Sequence, residues 1–116
     1  MVVCIDPNST IVRIDPKLHG QFIEFLGECI DEGLWVGEDS PIENERGYRK
    51  ATLDALRALR PPVIRWPGGC YADTYHWRDG VGPQSERKTT FNENFATYEL
   101  DDHSFGTDEF LRLCEM

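Results

Sequence analysis

Gly47-Tyr48-Arg49-Lys50-Ala51-Thr52-Leu53-Asp54-Ala55-Leu56-Arg57-Ala58-Leu59-Arg60-Pro61-Pro62-Val63-Ile64-Arg65-Trp66 is the stretch whose reading decides the fold. Tyr48, Thr52, Ala55, Leu56 and Leu59 recur at i, i+4, i+7, i+8 and i+11, which places them on one face of a helix over about Gly47–Arg60. Arg49, Lys50, Asp54 and Arg57 occupy the remaining positions. Pro61-Pro62 stops the helix, because proline has no amide proton and disfavours helical geometry in the residue before it. Val63–Trp66 then reads as a short buried strand and runs directly into Pro67-Gly68-Gly69, a loop signal.

The same grammar extends in both directions. Upstream, Gly20–Leu26 is a mostly apolar run, expected of a strand buried on both faces of a parallel sheet, and it carries one carboxylate, Glu24, near its end. Downstream, Thr107 is expected to cap a last helix, with Asp108 and Glu109 in its first turn and Phe110, Leu113 and Cys114 as its apolar stripe. Long loops over about 28–45 and 67–106 follow the C-terminal ends of the two strands, where α/β barrels place their active sites. Strand, loop, helix, strand, loop, helix is the order of a parallel α/β fold. Two such strands are too few to cover two amphipathic helices, so the architecture is expected to be incomplete. Ser9–Arg13 reads as a further short strand between Asp6-Pro7-Asn8 and Asp15-Pro16. It belongs to neither unit and is expected to pair with an accessory β-domain.

Composition narrows the function classes. The 116 residues carry 21 acidic against 12 basic side chains, a net charge of −9 that opposes a phosphate backbone and argues against nucleic acid as a partner. No apolar run approaches the roughly 20 residues that cross a bilayer, so no membrane partner is expected. Met1–Asp6 lacks the basic and apolar regions of a secretory signal, which points to the cytoplasm. The four cysteines, at 4, 29, 70 and 114, form no C-x-x-C pair and no zinc spacing, so neither a metal nor a cofactor is expected and the thiols are read as reduced.

Three places carry chemistry. Glu24 admits two readings: a structural ion pair with an arginine such as Arg65, or a hydrogen-bond acceptor for polar ligand groups such as sugar hydroxyls. Arg65-Trp66-Pro67-Gly68-Gly69-Cys70-Tyr71-Ala72-Asp73 sets two glycines after a strand, letting backbone approach a ligand, but it has no phosphate-binding pattern. Within it Cys70 is either a small buried filler or a lining residue. Tyr75-His76-Trp77-Arg78-Asp79-Gly80 offers aromatic faces beside directional polar groups, the needs of a hydroxyl-rich ligand, with plain loop packing as the alternative.

These stretches, with His19–Gly27, Gly33–Ile42 and Phe105–Phe110, occur in this order in glycoside hydrolase family 51, and from about Val12 to Met116 the chain resembles that family. The resemblance implies a retaining α-L-arabinofuranosidase built on a TIM (β/α)8 barrel with an appended β-sandwich. It implies that residues 19–116 form about the first two βα units and residues 1–18 supply a strand to the sandwich. Its partner would be an arabinose-containing oligosaccharide or polysaccharide, and a full-length member would be a possible homo-oligomer. Retaining hydrolysis uses two carboxylates about 5 Å apart. The family's acid/base follows the fourth strand and its nucleophile the seventh, so this chain is expected to contain neither and to be inactive alone. Asn92-Glu93 does not supply the acid/base, because it lies in the loop after the second strand. Carried over by position, Glu24 corresponds to the glutamate that accepts hydrogen bonds from arabinose hydroxyls and Cys70 to the cysteine lining the same subsite. Trp77 and Arg78 match a motif without so clear a role, and Phe95 stands where many members place a tryptophan. A non-catalytic arabinose-binding or regulatory relic is the competing expectation.

Overall fold

The computed structural model describes residues 2–94 and 99–116. Its elements, in chain order, are β1 (Gln21–Phe22), β2 (Asn44–Glu45), β3 (Tyr48–Arg49), α1 (Lys50–Leu59), β4 (Ile64–Arg65), β5 (Thr90–Asn92), β6 (Glu99–Asp101) and α2 (Thr107–Glu115), joined by several 3-10 turns. β1 and β4 pair in parallel, Gln21 opposite Ile64 and Phe22 opposite Arg65. The ladder extends through Gln21 N–H to Val63 O at 2.9 Å and Ile23 N–H to Arg65 O at 3.0 Å. With α1 between them in sequence, they make the expected β-α-β unit.

The unit differs from expectation in its margins. The helix begins at Lys50, because Tyr48-Arg49 pairs antiparallel with Asn44-Glu45 instead. Arg46 and Gly47 form the tight connection with φ of 55° and 86°, the two positive values that a two-residue hairpin turn requires. Glycine is required at 47 for a second reason: a β-carbon there would enter the Trp35 indole. The buried face is also rotated from the expected one. Leu53 is buried, Thr52 and Leu56 are half-buried, and Ala55 and Leu59 are exposed. Leu53 faces the core cluster shared with Tyr48, Phe105 and Leu113, and that contact sets the phase. At the other end Arg60 adopts left-handed geometry and donates its N–H to Leu56 O at 2.9 Å, closing the helix just before Pro61-Pro62.

Three expected strands are reduced, and Val63–Trp66, expected to be buried, pairs only as Ile64–Arg65 with Val63 and Arg65 exposed. Gly20–Leu26 pairs only over Gln21–Phe22, and Phe22 is exposed, not buried on both faces, because a single neighbouring strand leaves the other edge and much of the surface uncovered. Ser9–Arg13 forms no strand. Its backbone finds no ladder partner among the described residues, and Ile11, at 95 % exposure, reaches solvent almost completely. The region 67–106 is more ordered than a plain loop. It holds the antiparallel hairpin β5–β6, with Thr90 opposite Asp101 and Asn92 opposite Glu99, and 3-10 turns at Tyr71–Asp73, Trp77–Gly80 and Gln84–Glu86. Gly106, not Thr107, holds the cap position of α2. Glu109 reaches back to accept the Gly106 N–H at 2.8 Å, while the Thr107 hydroxyl donates to Trp77 O at 2.7 Å.

The core lies where strand ends and loops meet. Phe25, Ile30, Leu34, Trp35, Tyr48, Leu53, Tyr71, Phe105 and Leu113 are buried together, with Trp66 and Phe110 stacked at 5.0 Å on its edge. Aromatic rings dominate because the loops, not the short strands, supply most of the apolar area. No helix among the described residues is long and apolar enough to cross a membrane.

Candidate functional site

Glu24 is 7 % exposed, two residues beyond the last paired residue of β1. Burying a carboxylate costs several kcal/mol unless charge or hydrogen bonds compensate. The compensation here is main-chain. Gly69 N–H donates to Glu24 Oε1 at 2.9 Å and Tyr71 N–H donates to the same oxygen at 3.1 Å. Among the described residues none donates to Oε2. Gly68 makes the close approach possible: its φ is 150°, and a β-carbon there would collide with the Glu24 side chain. The ion-pair reading of Glu24 does not hold. Arg65 turns its guanidinium over the Phe22 ring at 4.9 Å and donates to Gly68 O at 3.3 Å.

The loop that cradles Glu24 also carries Cys70, between the two donating amides. Its side chain is exposed and its thiol free, so the buried-filler reading is corrected: the flanking amides turn inward to Glu24 and leave the thiol outside. The structure therefore brings Glu24 and the Gly69–Tyr71 segment together. Trp77 and Arg78 form a separate pair. Trp77 is 55 % exposed with the Arg78 guanidinium 5.1 Å above its ring, and no hydrogen bond or ion pair among the described residues links either to Glu24. Phe95 lies outside the described residues.

Several site neighbours carry no obvious sequence signal. Tyr71 is buried, packs its ring on Phe25 at 4.8 Å and donates a short hydrogen bond from its hydroxyl to Asp101 Oδ2. Burial, then the Asp101 carboxylate, pushes the Tyr71 phenol well above its usual range. Asn92, read only as a false acid/base motif, is buried and donates through Nδ2 to Phe25 O at 3.4 Å. Each binds a residue next to Glu24 or in its cradle. The spacing from Glu24 to these partners, tens of residues, is what hides them.

A cavity of about 380 Å³ lies between Trp35, Gln84 and the carboxylates Asp31, Glu32, Asp101 and Asp102, and neither Glu24 nor Cys70 lines it. Enclosure by its walls and then the negative charges of Asp101, Asp102, Glu99 and Glu32 push Asp31 up to about 6, although its side chain is exposed by area. A concavity lined by like charges favours protons or cations. Glu24 differs from that acidic wall in being a buried acceptor whose Oε2 takes no hydrogen bond among the described residues. No group of three or more His, Cys, Asp or Glu among the described residues is arranged to hold a metal ion.

The model of the alpha-L-arabinofuranosidase 1 domain matches residues 55–116. The chain is 54% identical over 103 residues to an intracellular exo-alpha-L-arabinofuranosidase of Bacteroides ovatus, an alignment covering 89% of this chain and 20% of that protein. It is 41% identical over 114 residues to alpha-L-arabinofuranosidase C of Emericella nidulans, covering 98% of this chain and 22% of the relative. The chain belongs to the α-L-arabinofuranosidases of glycoside hydrolase family 51. The crystal structure of the GH51 arabinofuranosidase from Xanthomonas axonopodis pv. citri superposes with a TM-score of 0.85 at 47% identity, over 90% of this chain and 21% of that one. This family 51 chain thus spans about a fifth of the length of the relatives it matches. Both the Glu24 strand and the Gly68–Tyr71 cradle lie within the matched span of the Emericella relative, which takes in nearly the whole chain.

Proposed function

We propose that this chain is the N-terminal part of a retaining α-L-arabinofuranosidase and forms one wall of its arabinose pocket, with Glu24 accepting sugar hydroxyls through Oε2 and Cys70 lining the same subsite. The single observation that carries the reading is the buried Glu24 carboxylate, one oxygen bound by two amides and the other uncommitted among the described residues. The parallel β1–β4 pair with α1 between them supports residues 19–116 as the first two βα units of a (β/α)8 barrel. The seven exposed aliphatic side chains between Val2 and Leu18 support assigning residues 1–18 to an accessory β-sandwich. The substrate class is arabinofuranosyl oligosaccharide or polysaccharide, and the location is the cytoplasm. Neither reacting carboxylate belongs to these residues, so the isolated chain binds sugar weakly and cleaves nothing. Trp77, Arg78 and Phe95 are proposed as outer contacts of the pocket rim.

The test uses the Bacteroides ovatus relative with its matching N-terminal fifth replaced by this chain. The chimera should release 4-nitrophenol from 4-nitrophenyl α-L-arabinofuranoside, while purified residues 1–116 should release none. Glu24→Gln in the chimera should lower kcat/KM by about 10- to 150-fold, the worth of a hydrogen bond to a charged acceptor. An unchanged kcat/KM would remove Glu24 from the pocket.

A further inference from the structure

Two ties run from the β5–β6 hairpin to the surroundings of Glu24, and they reach it from opposite sides. On the strand side, Asn92 of β5 donates to Phe25 O, the carbonyl adjoining Glu24 in sequence. On the loop side, Asp101 of β6 accepts the Tyr71 hydroxyl, and Tyr71 N–H is one of the two donors to Glu24 Oε1. Asp101 is itself fixed: its other oxygen, Oδ1, accepts the His103 N–H at 2.7 Å, and its side chain is 9 % exposed. The Tyr71 ring then closes the gap by packing on Phe25. The hairpin strands are only three residues long, yet both ties leave from their paired residues, Asn92 and Asp101.

We infer that the β5–β6 hairpin is the positioning element for Glu24, with Tyr71 and Asp101 as positioning residues that hold the amide cradle in place. The inference rests on the reading of Glu24 as the arabinose acceptor. Its physical basis is that a carboxylate held by main-chain donors has no side-chain anchor of its own. The orientation of Oε2 is then set by wherever the donating backbone stands. Gly68 and Gly69 make that backbone soft, since glycine restricts φ and ψ least. The stiffness must come from Tyr71, the first residue of the segment with a large buried side chain, and Tyr71 is held by the hairpin. Loss of the latch therefore misdirects Glu24 without removing it, which weakens ground-state and transition-state contacts with the sugar.

Amide hydrogen exchange on the full 116-residue chain and kinetics on the chimera test this together. Tyr71→Phe keeps the ring and removes only the hydroxyl. It should speed exchange of the Gly69 and Tyr71 amides by about tenfold, the worth of one hydrogen bond, while the amides of α1 keep their rates. Asp101→Asn retains an acceptor and should exchange close to the parent, whereas Asp101→Leu should match or exceed Tyr71→Phe. In the chimera, Tyr71→Phe and Asp101→Leu should raise KM by about tenfold with a smaller change in kcat, and Asp101→Asn should restore most of the loss. Equal acceleration across α1 and the cradle would make the pair a general stability contact and overturn the inference. So would unchanged Gly69 and Tyr71 amides. If these variants leave KM unaltered while Glu24→Gln still lowers kcat/KM by about 10-fold or more, the latch fails and the Glu24 reading stands; if Glu24→Gln is also without effect, the pocket reading fails first.

Discussion

Two buried carboxylates in this chain are treated in opposite ways. Glu109, at the start of α2, meets Arg87 in a buried ion pair at 2.6 Å, with side-chain exposures of 4 % and 2 %. Both of its oxygens are committed: Oε1 also accepts from Gln84, and Oε2 from the Gly106 N–H. Arg87 spends its remaining donors on Gly82 O and His103 O, so one guanidinium fastens three parts of the long loop to the helix. Among the described residues Glu24 has no cation and only two amide donors, both on one oxygen. A carboxylate whose lone pairs are all satisfied by protein holds structure. One buried at the end of a strand with an oxygen left over is what the proposed role of Glu24 as a hydroxyl acceptor requires.

Arg87→Ala should give the largest effect and breaks the comparison at its structural end. It leaves the Glu109 charge buried without a cation, held only by Gln84 and the Gly106 N–H, and breaking a buried ion pair typically costs about 3–5 kcal/mol, a large part of the stability of any small domain. Urea unfolding followed by tryptophan fluorescence would measure it. A loss under about 1 kcal/mol would show that the ion pair is solvated and not a fastening. Glu24→Gln sharpens the other end. The neutral amide keeps an oxygen to accept the Gly69 and Tyr71 N–H groups, so the unfolding midpoint should move by no more than the equivalent of about 1 kcal/mol. The same substitution is expected to damage the chimera's activity. A stability loss as large as that of Arg87→Ala would place Glu24 in the same structural class as Glu109.

How much of this was legible in the sequence follows from what each feature depends on. The β-α-β order was readable because apolar periodicity and Pro61-Pro62 are local signals. The hairpin at Asn44–Arg49 was not, because Arg46 occupies a positive-φ position where asparagine, aspartate or glycine would have announced the turn. Ser9–Arg13 has strand composition but no ladder partner among the described residues, and composition cannot supply one. Glu24 stood out as a lone carboxylate in an apolar run. Its true partners did not, because a backbone amide has no residue identity to read, and the arginine that sequence offered, Arg65, stacks on Phe22 instead. Arg87 and Glu109 lie 22 residues apart and join through a fold that neither encodes locally. Asp108 and Glu109 looked alike as first-turn acids, and only packing separates the half-buried one from the buried one.

The smallest effect tests the rim between these regions. Asp31 stands among Asp101, Asp102, Glu99 and Glu32, and enclosure followed by those charges pushes it up to about 6 from 3.8. A raised carboxyl pKa means that the folded chain holds its proton more tightly than the unfolded chain. The resulting stability is complete below about pH 3.8 and is lost as pH rises towards 6. This is opposite in sign to a salt-bridged carboxylate. Asp31→Asn removes the charge at every pH. It should stabilise the chain at pH 7 by on the order of 1 kcal/mol, after discounting for solvent screening of an exposed side chain, and by almost nothing at pH 4. Thermal unfolding of both proteins at the two pH values reads the difference directly. An equal shift at both would trace the effect to packing and not to charge. If Asp31→Asn destabilises the chain at pH 7, the ionised carboxylate makes a favourable contact, and the acidic rim is then a binding arrangement instead of a tolerated repulsion.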